Sequence, residues 1–161
     1  MRSPIVADNV ILQPISQAFA ARLAAGLAAG DLTSVTAGDG WPHQDTADAL
    51  RLAAQGSGLC WLVILDGLVI GDCGTHGPVS AGTVEIGYGL AAPYRGRGYG
   101  NQVVSTLADW LVSQADVAEV IAHTDAGNIP SRRVLERAGF RLTGEQDGEC
   151  RYVLCGRNPR Q

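Results

Sequence analysis

Lysine is absent from this 161-residue sequence. That excludes a Walker-type nucleotide loop, whose ammonium group reaches the phosphates. Long apolar runs are missing too. The longest, Leu59 to Leu65, spans seven residues, whereas a membrane-crossing helix needs roughly twenty. Cys60, Cys73, Cys150 and Cys155 show no CxxC or other zinc spacing, so no metal is expected and the thiols should be free in a reducing compartment. No apolar stretch precedes the first charges of "MRSPIVADNV". The expected location is therefore cytoplasmic, without membrane contact.

What is present belongs to a globular protein. Hydrophobic residues make up 46% and charged residues 17%, and the length suits a single domain, 1–161, with one core. The net charge of −4 is unevenly placed: residues 1–80 carry seven Asp against three Arg, and the remainder balances. An acidic first half argues against a nucleic-acid partner and for a cationic substrate, although the same charge also solubilises a surface.

Along the chain, short strands alternate with amphipathic helices. "NVILQPI" reads as a strand and "SQAFAARLAAGLAAG" as a helix opened by Ser16. A second helix, "DTADALRLAAQG", follows a loop. "LCWLVIL" and "LVIGDCG" flank Asp66-Gly67, a strong hairpin signal. "TVEIGYGL" is the next strand. A helix from about Gly100 to Gln114, a strand "VAEVIAHT", and a helix "NIPSRRVLERAGF" capped by Asn128 and stopped at Gly139-Phe140 come after it. The chain closes with two strands. This order predicts an α+β fold on a central mixed, mostly antiparallel sheet flanked by helices.

The stretch "YRGRGYG" concentrates arginine and glycine between a strand and a helix. Such a turn aims backbone N–H groups and a helix dipole at one point, which is an anion site made from main chain. The dinucleotide fingerprint fails, because its third glycine position falls on Asn101. The pattern Arg/Gln-x-x-Gly-x-Gly/Ala is met by Arg95, Gly98 and Gly100.

Together, "EIGYGLAAPYRGRGYG" and "NIPSRRVLERAGF" resemble the GNAT N-acetyltransferase family, most closely its Rim-type ribosomal-protein branch. The resemblance implies acetyl-CoA as cosubstrate and a primary amine as acceptor, either a protein N-terminus or a small molecule. The strand ending at Leu90 would part from its neighbour at a bulge and admit pantetheine. Arg95, Gly96, Arg97, Gly98, Tyr99, Gly100 and Asn101 would hold the pyrophosphate, Asn128 the pantetheine arm, and Arg133, beside Arg132, the 3′-phosphate. Glu85 would act as base, and an acid inside the apolar strand "TVEIGYGL" is poor core filler in its own right. Many members carry a tyrosine where this chain has Leu135, and Ser131 stands in as the proton donor. Trp41 and His76, the latter read as lying between the hairpin and the next strand, would line the acceptor pocket. The alternative for Trp41 is a cover over the core, and His123 reads first as a structural histidine. Homodimers are common in the family. A non-catalytic acyl-CoA-binding module, and the same fold using a longer acyl-CoA, stay open.

Overall fold

The computed structural model describes residues 2–156. Eight strands form one sheet in the order β1-β2-β3-β4-β5-β6-β8-β7. They are β1 (Ile5–Ala7), β2 (Val10–Pro14), β3 (Cys60–Leu65), β4 (Leu68–Ser80), β5 (Thr83–Leu90), β6 (Glu119–Asp125), β7 (Arg141–Gln146) and β8 (Glu149–Cys155). Helices α1 (Gln17–Ala29) and α2 (Thr46–Ala54) join β2 to β3. Helix α3 (Tyr99–Val112) joins β5 to β6, and α4 (Ile129–Arg137) joins β6 to β7. Every neighbouring pair is antiparallel except β5 and β6. That one parallel pair needs a crossover, and α3 provides it. The expected mixed, mostly antiparallel α+β fold is what the chain adopts.

Period-two patterning gives β3 its central place. Trp61 and Val63 enter the core under α3 with Val103, Val104 and Leu107. Cys60 and Leu62 enter a second cluster with Ala20, Leu23 and Leu50 of α1 and α2. A strand buried on both faces reads as a continuous apolar run, which explains "LCWLVIL". Asp66-Gly67 turns with positive φ at both residues, the type I′ geometry that the hairpin needs.

Three details differ from the sequence reading. A three-residue strand, β1, precedes the expected first strand, too short to show a period of its own. β4 continues to Ser80, so His76 lies within a strand and not between a hairpin and the next strand. Helix α3 begins at Tyr99, with Gly98 as its N-cap.

The decisive feature lies between β5 and β6. They pair only from Thr83 with Glu119 to Ile86 with Ala122. Beyond that, Gly87–Leu90 stays on β4 and His123–Asp125 stays on β8, so the sheet opens as a V. No bulge in β5 produces it. The register against β4 is continuous from Glu85 to Leu90, and the irregularity lies beyond His76. Divergent pairing commitments part the strands.

Candidate active site

The open V leads into a cavity of about 390 Å³, walled by residues of α2, β4, β5, β6 and α4. Side chains alternate on β5, so Glu85, Gly87 and Gly89 share one face while Ile86, Tyr88 and Leu90 share the other. The two glycines have a specific use. A Cβ on Gly87 would lie 2.5 Å from His76 Nε2, and one on Gly89 would lie 2.5 Å from His43 Cε1. Only glycine lets both imidazoles lie against the strand. His123 joins them from β6, so all three histidines of the chain meet on this face.

Glu85 is the centre of that group. His76 is its cross-strand partner on β4, with Nδ1 3.8 Å from Glu85 Oε1. His123 Nδ1 lies 2.6 Å from the same oxygen. An ionised carboxylate only accepts, so this nitrogen carries the hydrogen and donates. The histidine expected to be structural thus bonds directly to the expected base. His123 also borders a second cavity, lined by Glu145, Asp147 and Arg151 of the β7–β8 hairpin.

Behind His43 lies a buried carboxylate. Asp72 Oδ2 accepts from Trp41 Nε1 at 3.0 Å and from Thr46 Oγ1 at 2.8 Å. His43 Nε2 is also 3.0 Å away, but out of line for a hydrogen bond. These donors make a charge beneath the cleft tolerable. Trp41 therefore does not line the cleft. It is 5% exposed and packs with Leu50 and Val69, supporting the wall through Asp72. Its neighbour His43 is the lining residue. His76 lines the cleft.

On the other side, Asn128 Oδ1 accepts from the Ser131 N–H at 3.2 Å and caps α4. The helix ends as expected: Phe140 N–H bonds to Leu135 O, and Gly139 N–H to Glu136 O, with Gly139 at φ +96°. That is a Schellman motif. Asn128, Ser131 and Leu135 all face the cleft, and Ser131 Oγ lies 3.1 Å from Tyr88 Oη.

The turn before α3 is open. Gly98 has φ +87°, and an added Cβ would meet no atom within 4 Å. Its glycine answers to backbone conformation, and the space above it is free for a ligand. The N–H groups of Tyr99, Gly100 and Asn101 precede the first helical bond, from Gln102 N–H to Gly98 O, so no helical carbonyl takes them and they could serve an anion as donors. Gly96 also has positive φ, and Arg97 is exposed beside it. Arg95 is committed differently: its Nε donates to the Leu90 carbonyl at 2.9 Å and braces the turn. The Leu90 side chain belongs to the core, as does much of the Tyr99 ring. Among the described residues the Asn101 side-chain oxygen is enclosed without a donor, so only the main chain of this residue is open to a ligand. The two α4 arginines differ as well. Arg132 bonds to Tyr152 Oη and to the Ala126 carbonyl, whereas Arg133 is exposed.

The sequence reading missed His43, Asp72 and Tyr88. Asp72 had a usable signal, since an acid inside the apolar strand "LVIGDCG" is poor core filler, the reasoning that singled out Glu85.

Comparison with known proteins agrees with this architecture. The family model described as "Acetyltransferase (GNAT) domain" matches residues 9–141. The Bacillus subtilis (strain 168) protein "Uncharacterized N-acetyltransferase YjdG" is 26% identical over 113 residues, 63% of this chain and 67% of its own length. RimL, a ribosomal L7/L12 alpha-N-protein acetyltransferase solved in complex with coenzyme A, superposes with a TM-score of 0.68. It is 17% identical, over 95% of this chain and 98% of that one. The aminoglycoside acetyltransferase AAC(6')-Ib, in complex with ribostamycin and coenzyme A, has a TM-score of 0.64. It is 24% identical, with 92% and 94% covered. A cleft built where two strands part, a glycine-capped helix at its rim and a match over most of the length agree, and the chain belongs to the GNAT acetyltransferase family as an acetyl-CoA-dependent acyltransferase.

Proposed function

We propose that this protein transfers an acetyl group from acetyl-CoA to a primary amine, directly and within a ternary complex. The observation that carries the reading is a carboxylate coupled to the cleft through a histidine, with a hydroxyl in the same cleft. Glu85 is bonded to His123, and His123 and Ser131 both line the cavity.

Backbone N–H groups at Tyr99, Gly100 and Asn101 bind the pyrophosphate, with Arg97 adding charge from the rim. Arg95 holds the turn in shape, and Arg133, exposed on α4, meets the 3′-phosphate. The unpaired edge of Gly87–Leu90 receives the pantetheine arm as a partner strand would. Asn128, its oxygen engaged in the cap, turns its NH2 toward that arm. The same strand edge supplies an N–H to the thioester carbonyl as charge builds there.

The acceptor amine enters from the face that carries the histidines. It must be neutral to attack, and an α-amine has a pKa of about 7.7–8.0. Glu85 removes its proton, directly or through water, and His123 holds the carboxylate in place. Ser131 donates toward the departing sulfur.

Cys60 and Cys73 also border the cleft, but an acyl-cysteine route does not suit them. Burial pushes the Cys60 thiol up to about 12. Cys73 is raised well above the ordinary range by burial, with Cys60 and Asp72 adding to it. Both remain protonated near neutrality, and a thiol attacks only as thiolate.

The test is release of free coenzyme A at saturating acetyl-CoA across a panel of peptide N-termini, polyamines, amino acids and aminoglycosides. Amine-dependent release supports the reading. Tight acetyl-CoA binding with no release from any amine would replace it with a binding module. Faster release from longer acyl-CoAs would change the donor.

A further inference from the structure

Leu135 lies one helical turn beyond Ser131 and is 1% exposed, a hydrocarbon where the family resemblance leads one to look for a phenol. The cleft holds a phenol all the same. Tyr88 comes from β5, on the strand face opposite Glu85, and its Oη lies 3.1 Å from Ser131 Oγ. Its ring runs beside the start of α3, where a Cβ on Gly100 would be 3.9 Å away. Both residues line the cavity. Among the described residues, each hydroxyl has the other as its side-chain partner.

We propose that Tyr88 is the positioning residue for thiolate departure, donating to Ser131 Oγ so that the Ser131 hydrogen points at the thioester sulfur. The inference rests on the reading of Ser131 as donor. Its direction follows from acidity: a phenol is the stronger acid of the two hydroxyls and the better donor. Burial raises the Tyr88 phenol above its ordinary value, with the Ser131 hydrogen bond pulling the other way. Tyr88 therefore keeps its proton across the neutral range.

The step balances. As the carbon–sulfur bond breaks, its electron pair goes to sulfur and the Ser131 proton follows. The Tyr88 proton then moves to Ser131 Oγ. The proton taken from the amine leaves through Glu85, and water returns one to the Tyr88 oxygen between turnovers. Nothing is oxidised or reduced.

The experiment compares Tyr88→Phe, Ser131→Ala and the double variant in steady-state kinetics. It also titrates the thiol of bound coenzyme A by thiolate absorbance in the ultraviolet. Tyr88→Phe should lower kcat about 10-fold or more while KM for acetyl-CoA stays within about 2-fold. The double variant should be no slower than Ser131→Ala alone, because the two residues act as one unit. The bound thiol should titrate at lower pH in the wild type than in Tyr88→Phe, a shift that a purely structural tyrosine would not cause.

Wild-type kcat in Tyr88→Phe alongside a slow Ser131→Ala overturns the role of Tyr88 and leaves the Ser131 reading intact. Losses that add in the double variant overturn it as well, since Tyr88 then acts apart from Ser131. Full turnover in Ser131→Ala with only a lowered melting temperature overturns the underlying reading. Should Tyr88→Phe fail to fold, wild-type protein still decides: a bound thiol that titrates where free coenzyme A does overturns the proposal.

Discussion

The two walls of the cleft are built by different means. The wall proposed for the cofactor, from Tyr88 through the turn to α4, is largely main chain: positive φ at Gly96 and Gly98, first-turn N–H groups, and an Asn128 cap three residues from its partner. The wall proposed for the acceptor is side chain. It depends on Asp72 holding Trp41 and Thr46, 31 and 26 positions away, and on Glu85 meeting His123, 38 positions away. A backbone device is specified locally and tolerates variation around it. A side-chain network is specified by distant residues that must arrive together, so the two walls should fail differently.

The largest effect should come from the centre of the acceptor wall. Glu85→Gln keeps the shape and removes the proposed base, so turnover should fall about 10²–10⁴-fold with acetyl-CoA affinity unchanged. The loss should shrink as pH rises toward and past the amine pKa, because more amine is then already neutral. Rate–pH profiles of both proteins check this, and a loss that is flat with pH would mean that Glu85 only positions the amine.

Asp72→Ala should act on stability. Trp41 Nε1 and the Thr46 hydroxyl lose their acceptor inside the protein, at a cost of about 1–3 kcal/mol for each group left unsatisfied. Thermal unfolding should show a lowered midpoint, while calorimetry on folded protein at low temperature should show normal acetyl-CoA affinity. A lowered affinity at unchanged stability would mean that the two walls are not separable.

Gly98→Val tests the opposite wall. No atom blocks the new side chain, but φ +87° is strained for a β-branched residue, by about 1–3 kcal/mol. The turn should relax and misdirect its N–H groups, with acetyl-CoA affinity falling about 10–100-fold and the fold retained. Calorimetry on folded variant is the measurement. Unchanged affinity would remove the phosphate role from this turn.

The same contrast explains what was legible beforehand. The Ser16 and Asn128 caps, the Asp66-Gly67 hairpin, the Gly139-Phe140 stop and the strand–turn–helix around Gly98 are local, and each appears where its residue types call for it. Glu85 stood out because an acid in an apolar strand needs a reason. β1 escaped notice because three residues carry no period. Trp41 was placed in the acceptor pocket because the family it resembles commonly builds that pocket from this region. In the structure it is His43, two residues on, that reaches the cleft, while the indole turns inward to Asp72.

Local stereochemistry in the sequence was enough to set the elements, their caps and a glycine-rich turn before α3, because φ preferences and hydrogen-bonding side chains act within a few residues. Tertiary structure alone decided the parting of β5 from β6, since that depends on each strand keeping a different neighbour past Ile86 and Ala122. It also decided the arginines: Arg95 and Arg132 are held by carbonyls and a phenol, while Arg97 and Arg133 are exposed. The meeting of three histidines with Glu85 and Asp72 was likewise beyond any local signal. Those contacts span tens of residues, and only packing brings them within hydrogen-bonding distance.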